Sequence, residues 1–274
     1  MQLIEDQKAD FVSLEAGEVY LAGRYHSLVP IVHETYASNN QSVAVAVVRP
    51  QSFTYLRELR DLRGRKACFA GVGQITGWIY PILRLLDRDL IDVIDCNNII
   101  QNAANFFGSS CAPNALIEKH NPIGTNPQSI CSLCASKNCA GNDLFAGAEG
   151  ALQCLLSGGD VAFVRHSAID QLVKTARYKR SDFELLCPNG MRSSIDSYAQ
   201  CNWGIGPPNA IVISSTVLLE DRRKIQQFLL QSSRLFTLAA ASTQPISRVN
   251  SIDGTSQAPF VLFVSAKYGG LNLI

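Results

Sequence analysis

The chain has 274 residues, 47% of them apolar and 17% charged, with 24 basic against 23 acidic side chains and a formal net charge of +1. That length suits one large domain or two ordinary ones with ample core material. The near-neutral balance excludes a chain-wide electrostatic nucleic-acid binder, while leaving room for a local patch. No run approaches the roughly eighteen apolar residues of a membrane span. The longest, Ser42–Val48, Asn209–Leu219 and Ala258–Ser265, are near strand length. The opening MQLIEDQKADFVSLEAGE lacks the apolar run and small-residue cleavage site of a signal peptide. Nine cysteines are nevertheless many for a reducing compartment. Either the chain is extracellular and its true start lies upstream of Met1, or the thiols bind metal or stay reduced.

In chain order, Ala9–Tyr20 reads as a short strand, FVSLE, and a turn containing Gly17. Ser27–Tyr36 holds another strand, and the polar stretch Ala37–Gln41 interrupts. Ser42–Val48 is a run of small and branched residues suited to a strand buried on both faces. Tyr55–Leu62 reads as helical, ending at Gly64. Ala67–Ala70 is a strand, Gly71–Gly77 a glycine-rich turn, and Trp78–Leu86 a helix with Pro81 in its first turn, where a missing N–H costs least. Arg84–Asn105 mixes short helices and loops, and Cys111–Asp143 is a polar excursion rich in Cys, Asn and Pro. Then follow a helix at Gly147–Leu156, a strand at Asp160–Val164, a helix at Ile169–Ala176 and strands at Phe183–Leu186 and Asn209–Ser214. Asp221–Phe236 reads as an amphipathic helix with Ile225, Phe228, Leu229 and Leu235 on one face, and Phe260–Phe263 as a last strand. No internal repeat is evident. Strands alternating with helices indicate an α/β fold.

Three sets of residues are candidates for chemistry. The turn Gly71–Gly77 opens a helix and can hold an anion on its amides. Its third glycine falls one place late for a dinucleotide site, and no acidic residue follows a second strand at the required distance. Cys111, Cys131, Cys134 and Cys139 fit a zinc knuckle, a redox pair or two disulfides, and spacing alone leaves these open. His26, His33, His120 and His166 lie in no recognised catalytic motif, so hydrolase chemistry has no support, and an oxidoreductase lacks its nucleotide pattern.

Several stretches together resemble one lobe of the transferrin family. They are FVSLEAGEVY at Phe11–Tyr20, SVAVAVV at Ser42–Val48, LRGRKACFAGVGQITGW at Leu62–Trp78 and ANFFGSSCAPNA at Ala104–Ala115. CSLC at Cys131–Cys134, LFAGAEGALQCLLSGGDVAFVRH at Leu144–His166, ELLCPNGMR at Glu184–Arg192 and NAIVIS at Asn209–Ser214 continue it in order. The resemblance runs from about Ala9 to Phe236 and weakens beyond. It implies two α/β subdomains around a cleft, as in periplasmic binding proteins, joined by hinge strands at Ser42–Val48 and Asn209–Ser214. The first subdomain would be 1–43 with 211–274, the second 44–210. The opening elements of a full lobe are not recognisable, so the expectation is an N-terminally truncated lobe. The resemblance also implies disulfides Cys68–Cys154, Cys111–Cys134, Cys131–Cys139 and Cys187–Cys201, with Cys96 unpaired and Asn114 at a further family cysteine position.

The family holds ferric ion with an Asp, two Tyr, a His and a carbonate. Two phenolates and a carboxylate give a hard cation the anionic oxygen it favours. An Arg, a Thr and a helix N-terminus neutralise the carbonate. At those positions stand Glu15 for the Asp, Ser42 and Ala148 for the two Tyr, Asn209 for the His, Gln74 for the Arg and Ala70 for the Thr. Only the backbone around Thr76 and Gly77 could persist as an anion site. The expectation is a secreted, non-enzymatic transferrin-like lobe with no cofactor and no nucleic-acid partner, unable to bind ferric ion and carbonate. It would serve as a binding module or as the silent half of an iron carrier, with a second lobe or a cell-surface receptor as partner. The rival is an iron or anion carrier with ferric ion and carbonate held by a rearranged set, Glu15, Glu149 and Asn209; Glu149 reads equally as a solvated residue. Asn40-Gln41-Ser42 is a formal glycosylation sequon, expected to be unused.

Overall fold

A computed structural model describes residues 1–34, 41–174, 177–241 and 271–273. Asn40 of the sequon and the strand expected at Phe260–Phe263 lie outside the described residues. The chain divides into two compact units, Met1–Gln41 with Pro207–Ile274, and Ser42–Gly206. The strands are β1 Phe11–Leu14, β2 Leu28–Glu34, β3 Ser42–Val48, β4 Ala67–Phe69, β5 Ser110–Cys111, β6 Val161–Arg165, β7 Glu184–Leu186, β8 Arg192–Ser194, β9 Gly204–Gly206, β10 Ala210–Ser214 and β11 Leu271–Leu273. The α-helices are α1 Gln2–Glu5, α2 Ala16–His26, α3 Tyr80–Leu86, α4 Ile99–Phe106, α5 Gly147–Leu156, α6 Ser167–Lys174 and α7 Leu219–Ala241.

The first unit is a four-stranded antiparallel sheet in the order β1-β10-β2-β11. Pro30 sits inside β2, where it cannot donate to the ladder, and the register slips at that point, between Ile211 and Val212. A bulge is the accommodation a strand proline requires. Ile31, Val32, Ile211, Ile213 and Leu229 form one small core; Ile4, Leu14, Ala22, Leu28 and Val212 form another. The turn expected at Gly17 is instead the first turn of α2, capped by Glu15 and Glu18 in a capping box. That cap offsets the entropic cost of an early glycine. On α7, Leu229 is buried and Ile225 packs beside it, whereas Phe228 is 59% exposed and does not join that face.

The second unit is a seven-stranded mixed sheet, β5-β4-β6-β3-β7-β8, with β9 also on β3. All seven residues of β3 are buried, as an apolar strand covered on both faces requires. Phe69, Phe163, Phe107, Trp78 and Trp203 pack ring to ring with centroids 4.8–6.0 Å apart, and Trp203 donates its indole N–H to the Leu186 carbonyl at 2.7 Å. The helix expected over Tyr55–Leu62 is absent; only Leu59–Leu62 is helical there, as a short 3-10 segment, and another, Pro50–Thr54, precedes Tyr55. The helix after the glycine turn begins earlier than expected, as a wide-turn segment Ile75–Ile79 that runs into α3.

Cys68 is bonded to Cys154, Cys111 to Cys134, Cys131 to Cys139 and Cys187 to Cys201. Cys96 is exposed and free. The excursion after β5 has little regular structure, and two buried polar hubs organise it. Asn126 donates to the Ala115 and His120 carbonyls and accepts from Asn98. Asp143 accepts from the amides of Ala135, Ser136 and Phe145 and from the Ser136 hydroxyl. Asp143 also lies near the sulfurs of Cys111 and Cys134, but these are bonded to each other and the carboxylate is already satisfied, so the trio is no zinc site.

Burial alone would raise the Asp143 pKa, yet its hydrogen bonds outweigh that and hold the carboxyl below its ordinary value. The carboxylate's contribution to stability is therefore full above the unfolded carboxyl pKa of about 3.9 and is lost as pH falls through the folded one. Asp143→Asn should weaken the fold by about 1–3 kcal/mol at neutral pH and reduce the loss on acidification, read from urea midpoints between pH 7 and 3. Replacing Cys68 and Cys154 together with Ala opens a link spanning 86 residues and should cost about 2–5 kcal/mol by the same measurement.

Candidate metal and anion site

In the first unit, Leu14 pairs with Ala210 and Ala210 with His33. Glu15, directly after β1, and Asn209, directly before β10, therefore share one end of the sheet with His33 and Glu34. The Asn209 carbonyl accepts from the Glu34 amide at 2.8 Å. Glu15 is the N-cap of α2, and its own amide donates to the Glu18 carboxylate at 3.4 Å. The Glu15–Glu18 capping box thus holds the start of the helix.

In the second unit, β4 and β6 run parallel and β3 runs against β6. The start of β3 and the ends of β4 and β6 therefore share one edge, the carboxyl end of parallel strands, where α/β sheets place their ligands. Ser42 opens β3, buried, paired with Gly206. Ala70 follows β4 and leads into the glycine turn. Its carbonyl accepts from the Gly147 amide at 2.8 Å, which sets the start of α5 beside the turn. Ala148 lies in that first turn and packs against the apolar core. Glu149 is exposed.

The glycine turn is held from three sides. The Val72 amide donates to the Pro113 carbonyl at 2.8 Å, and the Gln74 amide to the Gly71 carbonyl at 3.2 Å. The Gln74 side-chain amide folds back over Gly71, 3.4 Å from where a Cβ would stand. A Cβ on Gly77 would overlap the Ala70 Cβ, so only glycine lets the helix start lie this close to the strand. Thr76 and Gly77 are both buried and belong to the first turn, where helices leave amides without intrahelical partners.

Two features escaped the sequence reading. The His120 ring lies 3.8 Å from the Cβ position of Gly73, brought there by the loop that Asn126 ties down. Burial, with Lys119 adding to it, holds that imidazole below its ordinary pKa. The available signal was the pair Asn121-Pro122 and Asn126-Pro127, which marks two turns bracketing a compact loop. The second is His166, next to β3. Its amide donates to the Val43 carbonyl at 2.9 Å, its Nε2 lies 3.0 Å from the Ile195 carbonyl, and its ring stacks on Tyr198 at 3.6 Å. Arg180 joins Asp170 and Asp196 nearby. Burial lowers the His166 pKa, outweighing the opposing pull of the Ile195 carbonyl and the two carboxylates. His26, by contrast, pairs with Glu5 at 2.8 Å in the first unit.

The transferrin family profile matches residues 1–249. The chain is 43% identical to transferrin 2 of Drosophila melanogaster over 242 residues, covering 85% of this chain and 30% of that protein. It is 37% identical to a transferrin of Blaberus discoidalis over 258 residues, covering 86% of this chain and 35% of that one. It is 29% identical to otolith matrix protein 1 of Danio rerio over 287 residues, covering 98% of this chain and 71% of that protein. The chain thus spans about a third of the length of the two transferrins.

Gly77→Ala should destabilise the second unit by about 1–3 kcal/mol in urea unfolding, because the overlap with Ala70 cannot be relieved by rotating a side chain. For His166 the folded state favours the neutral ring. Its contribution is present above the unfolded pKa of about 6.5 and falls away as pH drops through the lowered folded value. His166→Gln should flatten the fall in the unfolding midpoint between pH 7 and 5.

Proposed function

The chain belongs to the transferrin family, whose lobes are of an iron-binding type and α/β in fold, and from that premise we propose that this lobe does not carry ferric ion with carbonate. It acts as a non-catalytic binding module or as the silent part of a larger iron carrier. One observation carries the reading: at the positions that the motif resemblance assigns to the family's metal and anion set stand Glu15, Ser42, Ala148, Asn209, Gln74 and Ala70, none of them the family's residue. Two phenolates are gone and the remaining carboxylate is one methylene longer. The surroundings support the same reading. Glu15 caps its helix, Ala148 packs on the core and Gln74 folds over Gly71.

The magnitude is decisive. Each charge-assisted hydrogen bond lost with the anion-binding Arg is worth about 1.5–3 kcal/mol, and each decade of affinity about 1.4 kcal/mol. Those losses and the missing phenolates together cost many decades. The four disulfides favour an extracellular location, since such bonds persist in oxidising compartments. A second lobe or a cell-surface receptor is the partner this reading calls for. No described helix is long and apolar enough to cross a membrane.

Titration with ferric nitrilotriacetate and bicarbonate tests the proposal. The expected result is no stoichiometric uptake and no visible phenolate-to-iron band. Stoichiometric binding that Glu15→Ala, Glu149→Ala or Asn209→Ala abolishes would overturn it in favour of a rearranged site.

A further inference from the structure

Residues 56–64 read Leu-Arg-Glu, Leu-Arg-Asp, Leu-Arg-Gly, a three-residue period where no repeat was expected. It matches the local backbone over four residues: Leu59–Leu62 is a 3-10 helix, with about three residues per turn, so Leu59 and Leu62 share a face, and turns and bends flank it on both sides. Leu56, Leu59 and Leu62 point inward, at 0%, 6% and 0% exposure. Arg57, Arg60, Arg63 and, three further on, Lys66 are all exposed. Residues 49–66 hold six basic side chains against Glu58 and Asp61, a local +4 in a chain whose total is +1; the remaining residues therefore sum to −3.

We infer that this row is a docking surface for a sulfated polysaccharide. Five of the six cations are arginines, whose planar fork matches the paired oxygens of a sulfate. The row's carboxylate partners are replaceable. Arg60 pairs with Glu58 and Arg63 with Asp92, with the arginine side chains 75% and 51% exposed, and such surface pairs contribute about 0–1 kcal/mol. Asp61 spends its charge on the Arg57 and Glu58 amides, which hold its pKa down. Arg63 also donates to the Leu90 carbonyl, and Arg65 to the Asp61 and Tyr55 carbonyls; these bonds orient the guanidinium groups without neutralising them. Nucleic acid fits less well, because Arg65 already occupies one face of the Tyr55 ring at 4.7 Å, which leaves at most one face for a base to stack on. A lipid surface fits less well too, since among the described side chains of 49–66 no exposed aliphatic anchor accompanies the charge.

The test is retention of the full chain on immobilised heparin, with affinity for a heparin oligosaccharide measured across a salt series at neutral pH. The chain should be held at about 0.15 M salt. The triple variant Arg57→Ser, Arg60→Ser, Lys66→Ser should bind about tenfold or more weakly, with the slope of log affinity against log salt reduced by roughly two. An equal-charge control, Lys8→Ser, Arg223→Ser, Lys224→Ser, should change affinity less than about twofold. Thermal melts confirm that both variants fold; if the triple variant does not, Arg57→Ser with Lys66→Ser gives the same comparison. Unsulfated hyaluronan, phosphatidylserine vesicles and duplex DNA should each bind more weakly than heparin. Failure of the wild-type chain to be retained, equal loss in the control, or tighter binding to any of those three probes overturns the inference. None of these outcomes depends on whether the lobe takes up iron.

Discussion

Ala70 is the residue on which three elements of the second unit converge. Its Cβ occupies the space that a side chain at Gly77 would need, and its carbonyl takes the Gly147 amide that opens α5. A strand end and two helix starts are therefore fixed by one small residue and one absent Cβ. Behind them the Cys68–Cys154 bond joins β4 to α5. At the opposite end of these parallel strands, just before β6, Gly159 lies so close to the Cys68 sulfur that a Cβ there would stand 2.6 Å away. These are demands of backbone approach, and they persist whatever side chains line the turn. Larger side chains at the functional positions are a separate requirement, set by cargo.

That separation explains what could be read from sequence. Elements governed by burial were legible. Gly147–Leu156 is the helix its pattern gives, and Ser42–Val48 the strand that a continuous apolar run demands. Elements governed by local hydrogen bonding were not. Gly17 looks like a turn until the Glu15–Glu18 cap places it inside α2. The helix after the glycine turn starts at Ile75 because a wide first turn precedes the regular one, and no periodicity over five residues announces that. Tyr55–Leu62 has apolar residues at spacing three, which a 3.6-residue template accepts as helix although the backbone is turn and bend followed by 3-10 over Leu59–Leu62. Phe228 fits the apolar arc of α7 on paper, but it is Leu229, Ile225 and Leu230 that pack on the small core while Phe228 stays exposed.

The candidate site was legible as a set of positions rather than as a place. Strand register puts Glu15 beside Asn209, and the parallel pair β4–β6 puts Ala70 beside the start of α5. Neither adjacency follows from spacing in the chain. His120 was illegible because its position depends on Asn126, a buried amide whose three partners come from 11, 6 and 28 residues away.

The polar hubs make the last connection between fold and function. Asn126 and Asp143 do for the loop after β5 what apolar side chains do for the sheet. They satisfy buried backbone groups that would otherwise cost about 1–3 kcal/mol each. Arg192, at the start of β8, does the same, donating to Glu184, Ser52 and the Leu56 carbonyl, and so anchors the first leucine of the Leu-Arg-x row. The inward leucines and the outward cations of that row thus share one support. None of these contacts passes through Ser42, Ala148, Asn209 or Gln74. A lobe whose stability rests on closed glycine contacts, disulfides and satisfied polar hubs leans little on the side chains of Ala148 and Asn209, whereas Ala70, Gln74 and Glu15 have structural tasks of their own.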